Sequence, residues 1–138
     1  MQMETYVGLD GCKAGWFAVS LGPSGAWRFD IHRDIAAVWD RYREANIILV
    51  DIPIGLVESG PDGRQCDTIA RRLLRPNRVS SVFTPPARPA LDAPDYQAAS
   101  ALNKSLTGRG LSKQSWAIAP KIRQVDRLLR EDEEARGK

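Results

Sequence analysis

Tyr6-Val7-Gly8-Leu9-Asp10-Gly11-Cys12-Lys13-Ala14-Gly15-Trp16-Phe17-Ala18-Val19-Ser20-Leu21 is the stretch on which the fold turns. It begins apolar, stops at the carboxylate of Asp10, bends through small residues from Gly11 to Gly15, and resumes as an apolar run at Trp16. This predicts two strands, over about residues 5–9 and 16–21, joined by a tight turn with an acid ending the first. Asp-Gly is also a strong hairpin signal, so Asp10 taken alone reads equally well as a turn residue.

Working outward, Gly22-Pro23-Ser24-Gly25 is a turn cluster. Ala26 to Ile31 alternates apolar and polar residues, the period of a half-buried strand. Three strands with short connections make an antiparallel meander, with the first strand central. Asp34 then stands as a helix N-cap, followed by Ile35, Val38, Trp39 and Tyr42 at helical spacing. Ile47-Ile48-Leu49-Val50 is a continuous aliphatic run, the pattern of a strand buried on both faces, and it too stops at an acid, Asp51. A strand–helix–strand crossover lays this fourth strand parallel to a neighbour in the same sheet. Beside the first strand, it brings Asp51 to the edge that holds Asp10.

Pro53 lacks a donor and cannot continue a central strand. A helix is predicted over about 64–74, with Ile69 and Leu73 one turn apart, and another over about 94–106, closed by Gly108. A last helix is expected to open with Pro120 at its first position and to carry Ile122, Val125, Leu128 and Leu129 as its apolar stripe. No further strand is predicted after Asp51.

The 138 residues predict a single domain spanning 1–138. A net charge of +3 permits nucleic acid as a partner without demanding it, because that footprint comes from clustered charge. Cys12 and Cys66 form neither a disulfide framework nor a zinc pattern, which agrees with reduced thiols in the cytoplasm. Met1-Gln2-Met3-Glu4 does not begin a signal peptide, and no apolar run approaches the ~20 residues of a membrane span, so no membrane partner is expected. His32 is the only histidine, which excludes a histidine-dependent triad and a histidine-rich metal site.

Two carboxylates delivered by neighbouring strands repel each other and call for a cation. Mg²⁺ or Mn²⁺ suits them, since a hard cation takes one or two protein carboxylates together with substrate phosphate. Asp10 and Asp51 are therefore the candidate catalytic residues and metal ligands. The Gly11–Gly15 turn could bring backbone amides and Lys13 to a phosphate, or be a plain connection; it lacks the Gly-Lys-Ser/Thr ending of a P-loop. Arg64, Arg71, Arg88 and Lys121 join Lys13 as candidate phosphate contacts, although a basic run also reads as a solvated face.

Several blocks recur together. They are Gly8-Leu9-Asp10-Gly11-Cys12-Lys13-Ala14-Gly15-Trp16, then Asp51-Ile52-Pro53-Ile54-Gly55-Leu56 with Glu58, then Arg64, Cys66-Asp67 and Ala70-Arg71. Ser80-Ser81-Val82-Phe83 with Pro86 and Arg88, Leu111-Ser112 with Gln114, and Pro120-Lys121-Ile122 with Val125-Asp126 follow in order. With these the chain resembles the domain of unknown function 429 family, described as predicted nucleases of ribonuclease-H-like fold. The resemblance implies an α/β sheet in which three antiparallel strands are followed by a helix and a strand parallel to the first. It places acids on strands one and four, which makes Asp10 and Asp51 the first two metal ligands. It also implies that Glu58 or Asp67 adds a carboxylate, with Asp126 a further candidate. Where the family has Glu before Val-Asp, this chain has Gln124. Members continue through another strand segment with a His-Pro-Glu motif, whereas this sequence stops at Lys138. The C-terminal part of the fold is therefore expected to be missing, and copies are expected to associate through the open edge or uncovered face of the sheet.

The expected function is metal-dependent phosphodiester hydrolysis. The alternatives are a phosphotransferase or ATPase of the actin-like class, with nucleotide phosphates in the Asp10–Gly15 turn, and a non-catalytic binding or assembly module.

Overall fold

A computed structural model describes residues 4–138; Met1 to Met3, read above as carrying no signal peptide, lie outside the described residues. Strands β1 (Tyr6–Cys12), β2 (Gly15–Leu21) and β3 (Trp27–His32) precede helix α1 (Ile35–Tyr42) and strand β4 (Ile47–Val50). Helices α2 (Gln65–Leu73), α3 (Tyr96–Thr107), α4 (Lys113–Glu131) and α5 (Glu133–Arg136) follow, with short 3-10 turns before α3. The chain forms two compact units, one of residues up to Ile52 with Gln124–Lys138, the other Pro53–Arg123.

The first unit holds a four-stranded sheet in the order β3-β2-β1-β4. β1 pairs antiparallel with β2 and parallel with β4, and β2 pairs antiparallel with β3, which is the meander and crossover expected. The first two strands are longer than the apolar runs suggest. Pairing continues to Cys12↔Gly15, leaving only Lys13 and Ala14 in the turn. Gly15 permits this because it sits at φ 136°, and a Cβ there would lie 2.0 Å from the carbonyl oxygen of His32.

One face of the sheet is packed. Val7, Leu9, Trp16 and Ala18 are buried against Ile35, Val38 and Tyr42 of α1 and Val125 of α4. The helix start is set locally, since Asp34 accepts the Ala37 amide at 2.8 Å as the cap its position predicted. Gln124 ties three elements together: its Oε1 accepts the Trp16 indole N–H at 2.9 Å and the Ile35 amide at 3.0 Å. Gln124→Ala strands both donors, and each unmade buried bond costs about 1–3 kcal/mol. We expect urea denaturation to show a loss of about 2 kcal/mol or more, partly recovered in Gln124→Glu, which keeps the acceptor.

The other face overturns the expectation that β4, with its apolar run, is buried on both sides. Ile47 and Leu49 are exposed, as are Tyr6 on β1 and Phe17, Val19 and Leu21 on β2. Register aligns three ranks across this face: Ile31, Phe17 and Asp10; Phe29, Val19, Gly8 and Leu49; Trp27, Leu21, Tyr6 and Ile47. Composition reports that a strand is apolar on both sides, but covering each side needs a second packed layer, and among the described residues only one side has it.

The Tyr42 hydroxyl donates to Asp30 on β3. Burial, reinforced by that bond, raises the Tyr42 pKa above its ordinary 10.0. A group whose folded pKa is raised contributes stability that is complete below its unfolded value and fades as pH climbs through the folded one. Stability should therefore fall above about pH 10 in the parent, and less steeply in Tyr42→Phe, when denaturant midpoints are compared across that window.

The second unit packs Ala90, Ala99 and Leu111 with Tyr96 and Trp116. Asp95 caps α3 by accepting the Ala98 amide, and Gly108, left-handed at φ 79°, closes it. The buried side chain of Asn103 accepts the Ala87 amide at 2.8 Å and donates to the Arg109 carbonyl at 2.7 Å. Two helical readings are corrected here. Ile69 and Leu73 do not form a packed stripe on α2; both are exposed, and the buried residue is Asp67, held by Arg64. Helix α4 starts at Lys113, so Pro120 lies inside it rather than at its first position. Ser112 initiates the helix upstream by accepting the Ser115 amide at 3.0 Å, and the helix runs on through the proline although its nitrogen has no proton to give the ladder.

Candidate functional site

Asp10 and Asp51 are placed by the parallel pair β1/β4. The last paired residues are Leu9 and Val50, and the Asp51 amide donates to the Leu9 carbonyl at 3.0 Å, which extends the register one step. Asp10 and Asp51 therefore sit side by side, with backbones about 4.8 Å apart as in any paired strands. Directly after Asp51 the chain leaves the sheet: the Ile52 amide turns back to the Val50 carbonyl at 2.9 Å, and Pro53 has no amide to offer.

Strand alternation puts both acids on the uncovered face, Asp10 in line with Tyr6 and Gly8, Asp51 in line with Ile47 and Leu49. Both line an open groove of about 470 Å³ whose apolar walls are Phe17, Val19 and Leu49. Phe17 is Asp10's own cross-strand partner. Neither carboxylate has an ion pair or a hydrogen bond among the described residues, although like charges on neighbouring strands destabilise the sheet.

Lys13 is exposed in the two-residue turn beyond β1, three positions from Asp10. Apart from Asp126, which belongs to the first unit, the remaining candidates lie in the second, each among its own partners. Glu58 pairs with Arg88. Arg64 bonds Asp67 through Nε at 2.9 Å and the Ile54 carbonyl at 2.8 Å, and the Asp67 bond holds its pKa above the ordinary arginine value. Arg71 donates to the Val82 carbonyl at 3.0 Å and to Thr84 Oγ1 at 2.8 Å. Lys121 is half-buried on α4. Asp126 lies near Arg130, at 3.9 Å. In the second unit, Arg72, Arg75 and Arg78 are exposed and make no ion pair among the described residues. The apolar walls of the groove were missed by sequence reasoning, although the alternation of β1 and β2 with the predicted register contains them.

Among the described residues no group of three or more histidine, cysteine or acidic side chains converges on one point, so the donor set is the two carboxylates. That set fits Mg²⁺ or Mn²⁺, which takes one or two protein carboxylates and completes its shell with water and substrate oxygens. It does not fit zinc, which favours nitrogen and sulfur donors. No helix among the described residues is long and apolar enough to cross a membrane. No curated protein and no solved structure matches the chain. A profile described as a protein of unknown function, DUF429, matches residues 8–138, nearly the whole length, and the chain belongs to that family.

Proposed function

We propose that this protein is a divalent-cation-dependent phosphodiester hydrolase acting on nucleic acid, built on a ribonuclease-H-like sheet. The observation that carries the reading is the pair Asp10 and Asp51, adjacent on parallel strands, on one face, and without a compensating cation among the described residues. Two like charges persist at such a spacing when a ligand of opposite charge repays their repulsion.

Asp10 and Asp51 would hold the cation, which when bound supplies charge neutralisation at the scissile phosphate and acidifies water. The chain's own residues do the rest. Phe17, Val19 and Leu49 flank the open groove with apolar surface and offer the exposed carboxylates no competing partner, leaving both available to a cation. Lys13 offers a mobile ammonium for a phosphate next to the pair. Exposed Arg72, Arg75 and Arg78 are available to phosphates in the second unit.

Mn²⁺ titration by calorimetry tests this without an activity assay. Saturable binding is expected in the parent, weakened by at least about tenfold in Asp51→Asn. Binding that is absent, or equal in the two proteins, overturns the reading.

A further inference from the structure

The uncovered sheet face extends well beyond the groove at Asp10 and Asp51, across β2 to β3. Leu49 is 69% exposed, Trp27 66% and Phe29 59%, and the three ranks of the face are apolar apart from Asp10, with Gly8 open at the centre. Phe17 and Phe29 stack on it at 5.8 Å between ring centres. At roughly 200 Å² for a whole large apolar residue, the nine exposed apolar residues of the three ranks together expose on the order of 900 Å². The largest apolar patch on an ordinary monomer is about 300–600 Å². A stable protein interface buries about 800 Å² per partner, which this face alone supplies.

The charge on the face narrows the occupant. Beyond that groove the face carries no lysine or arginine, so neither a nucleic acid nor an anionic bilayer finds a counter-charge across its breadth. Its charges are acidic and peripheral: Asp10 and Asp51 lie in or beyond one end rank, and Glu4, which accepts the Tyr6 hydroxyl at 3.0 Å, lies beyond the other. The β4 edge is a poorer place to associate, because the Lys138 carbonyl already takes the Ile48 amide at 3.0 Å. A pleated apolar face of this size is complementary to another of the same kind, since two sheets pack face to face with interdigitating side chains. We infer that the face binds a second copy of this chain, forming a two-fold sandwich with the acids at its rim. This rests on the face alone and not on the hydrolase reading.

Sedimentation equilibrium of the full chain from about 1 to 100 µM tests it, a range that brackets ordinary self-association constants. The expected mass is twice the 15.3 kDa of one chain. Leu49→Lys on β4 and, separately, Trp27→Lys on β3 should weaken the dimer by at least about thirtyfold, the effect of losing an interface hot spot. Both positions are exposed, so each monomer should keep the parent circular dichroism. A single-chain mass at every concentration overturns the inference. So does a dimer whose affinity neither substitution changes, which would assign association to another surface.

Discussion

Asp10→Asn should abolish Mn²⁺-dependent cleavage of a labelled oligonucleotide in single-turnover assays, lowering the rate by at least about a hundredfold. Groups that only support a metal ligand cost 10–100-fold when removed, so a direct ligand should lie at or beyond the upper end. The substitution changes charge with almost no change in shape. Asp10 is exposed and has no partner among the described residues that the amide would strand. Removing one of two neighbouring negative charges also relieves repulsion, so thermal stability should hold or rise while activity disappears. That opposition identifies a ligand. A structural aspartate would lose stability and activity together, and cleavage at the parent rate would remove Asp10 from the chemistry.

The second large effect is on folding. Gly15→Ala should destabilise the protein by about 3 kcal/mol or more, since backbone strain at a disfavoured φ costs of order 1–3 kcal/mol before any clash is counted. The added methyl would stand 2.0 Å from the His32 carbonyl oxygen and 2.8 Å from that of Arg33. Both obstacles are backbone, so no rotamer change relieves the overlap. The end of β3 must move away, and Trp16, fully buried next to the turn, moves with it. At about 4 °C per kcal/mol, where the scales for small and mid-sized domains meet, that loss lowers the melting temperature by roughly ten degrees. An unchanged melting curve would mean that the β1–β2 turn accommodates a side chain, contrary to its geometry.

These two residues show how far the sequence could be read. Asp10 was legible because an apolar run that ends at an acid is unusual, and because a second such run, Ile47–Val50, could be placed beside the first by the handedness and length of the crossover. Strand alternation then put both acids on one side. Gly15 was legible as part of a turn, but the reason it must be glycine lies in His32 and Arg33, which reach it only through the β2–β3 pairing. Pro120 misled because a proline at a helix start and a proline inside a helix share the same local sequence, and the Ser112 cap that decides between them is upstream. Ile69 and Leu73 misled because two apolar residues one turn apart do not make a stripe when the inward face is fixed by a salt bridge.

By itself, then, the chain's order of residues determined the strands, their connections, the helix cap at Asp34, and the meeting of Asp10 with Asp51. All of these follow from local periodicity, capping chemistry and the single hand of crossovers. The tertiary structure alone decided which face of the sheet is packed and where Glu58, Arg64, Arg71 and Arg88 spend their charges. Burial depends on whether a second layer arrives, and an ion pair depends on a partner's position in space. An apolar residue carries the same composition on either face, and Glu58 carries the same charge whether it meets a cation or Arg88.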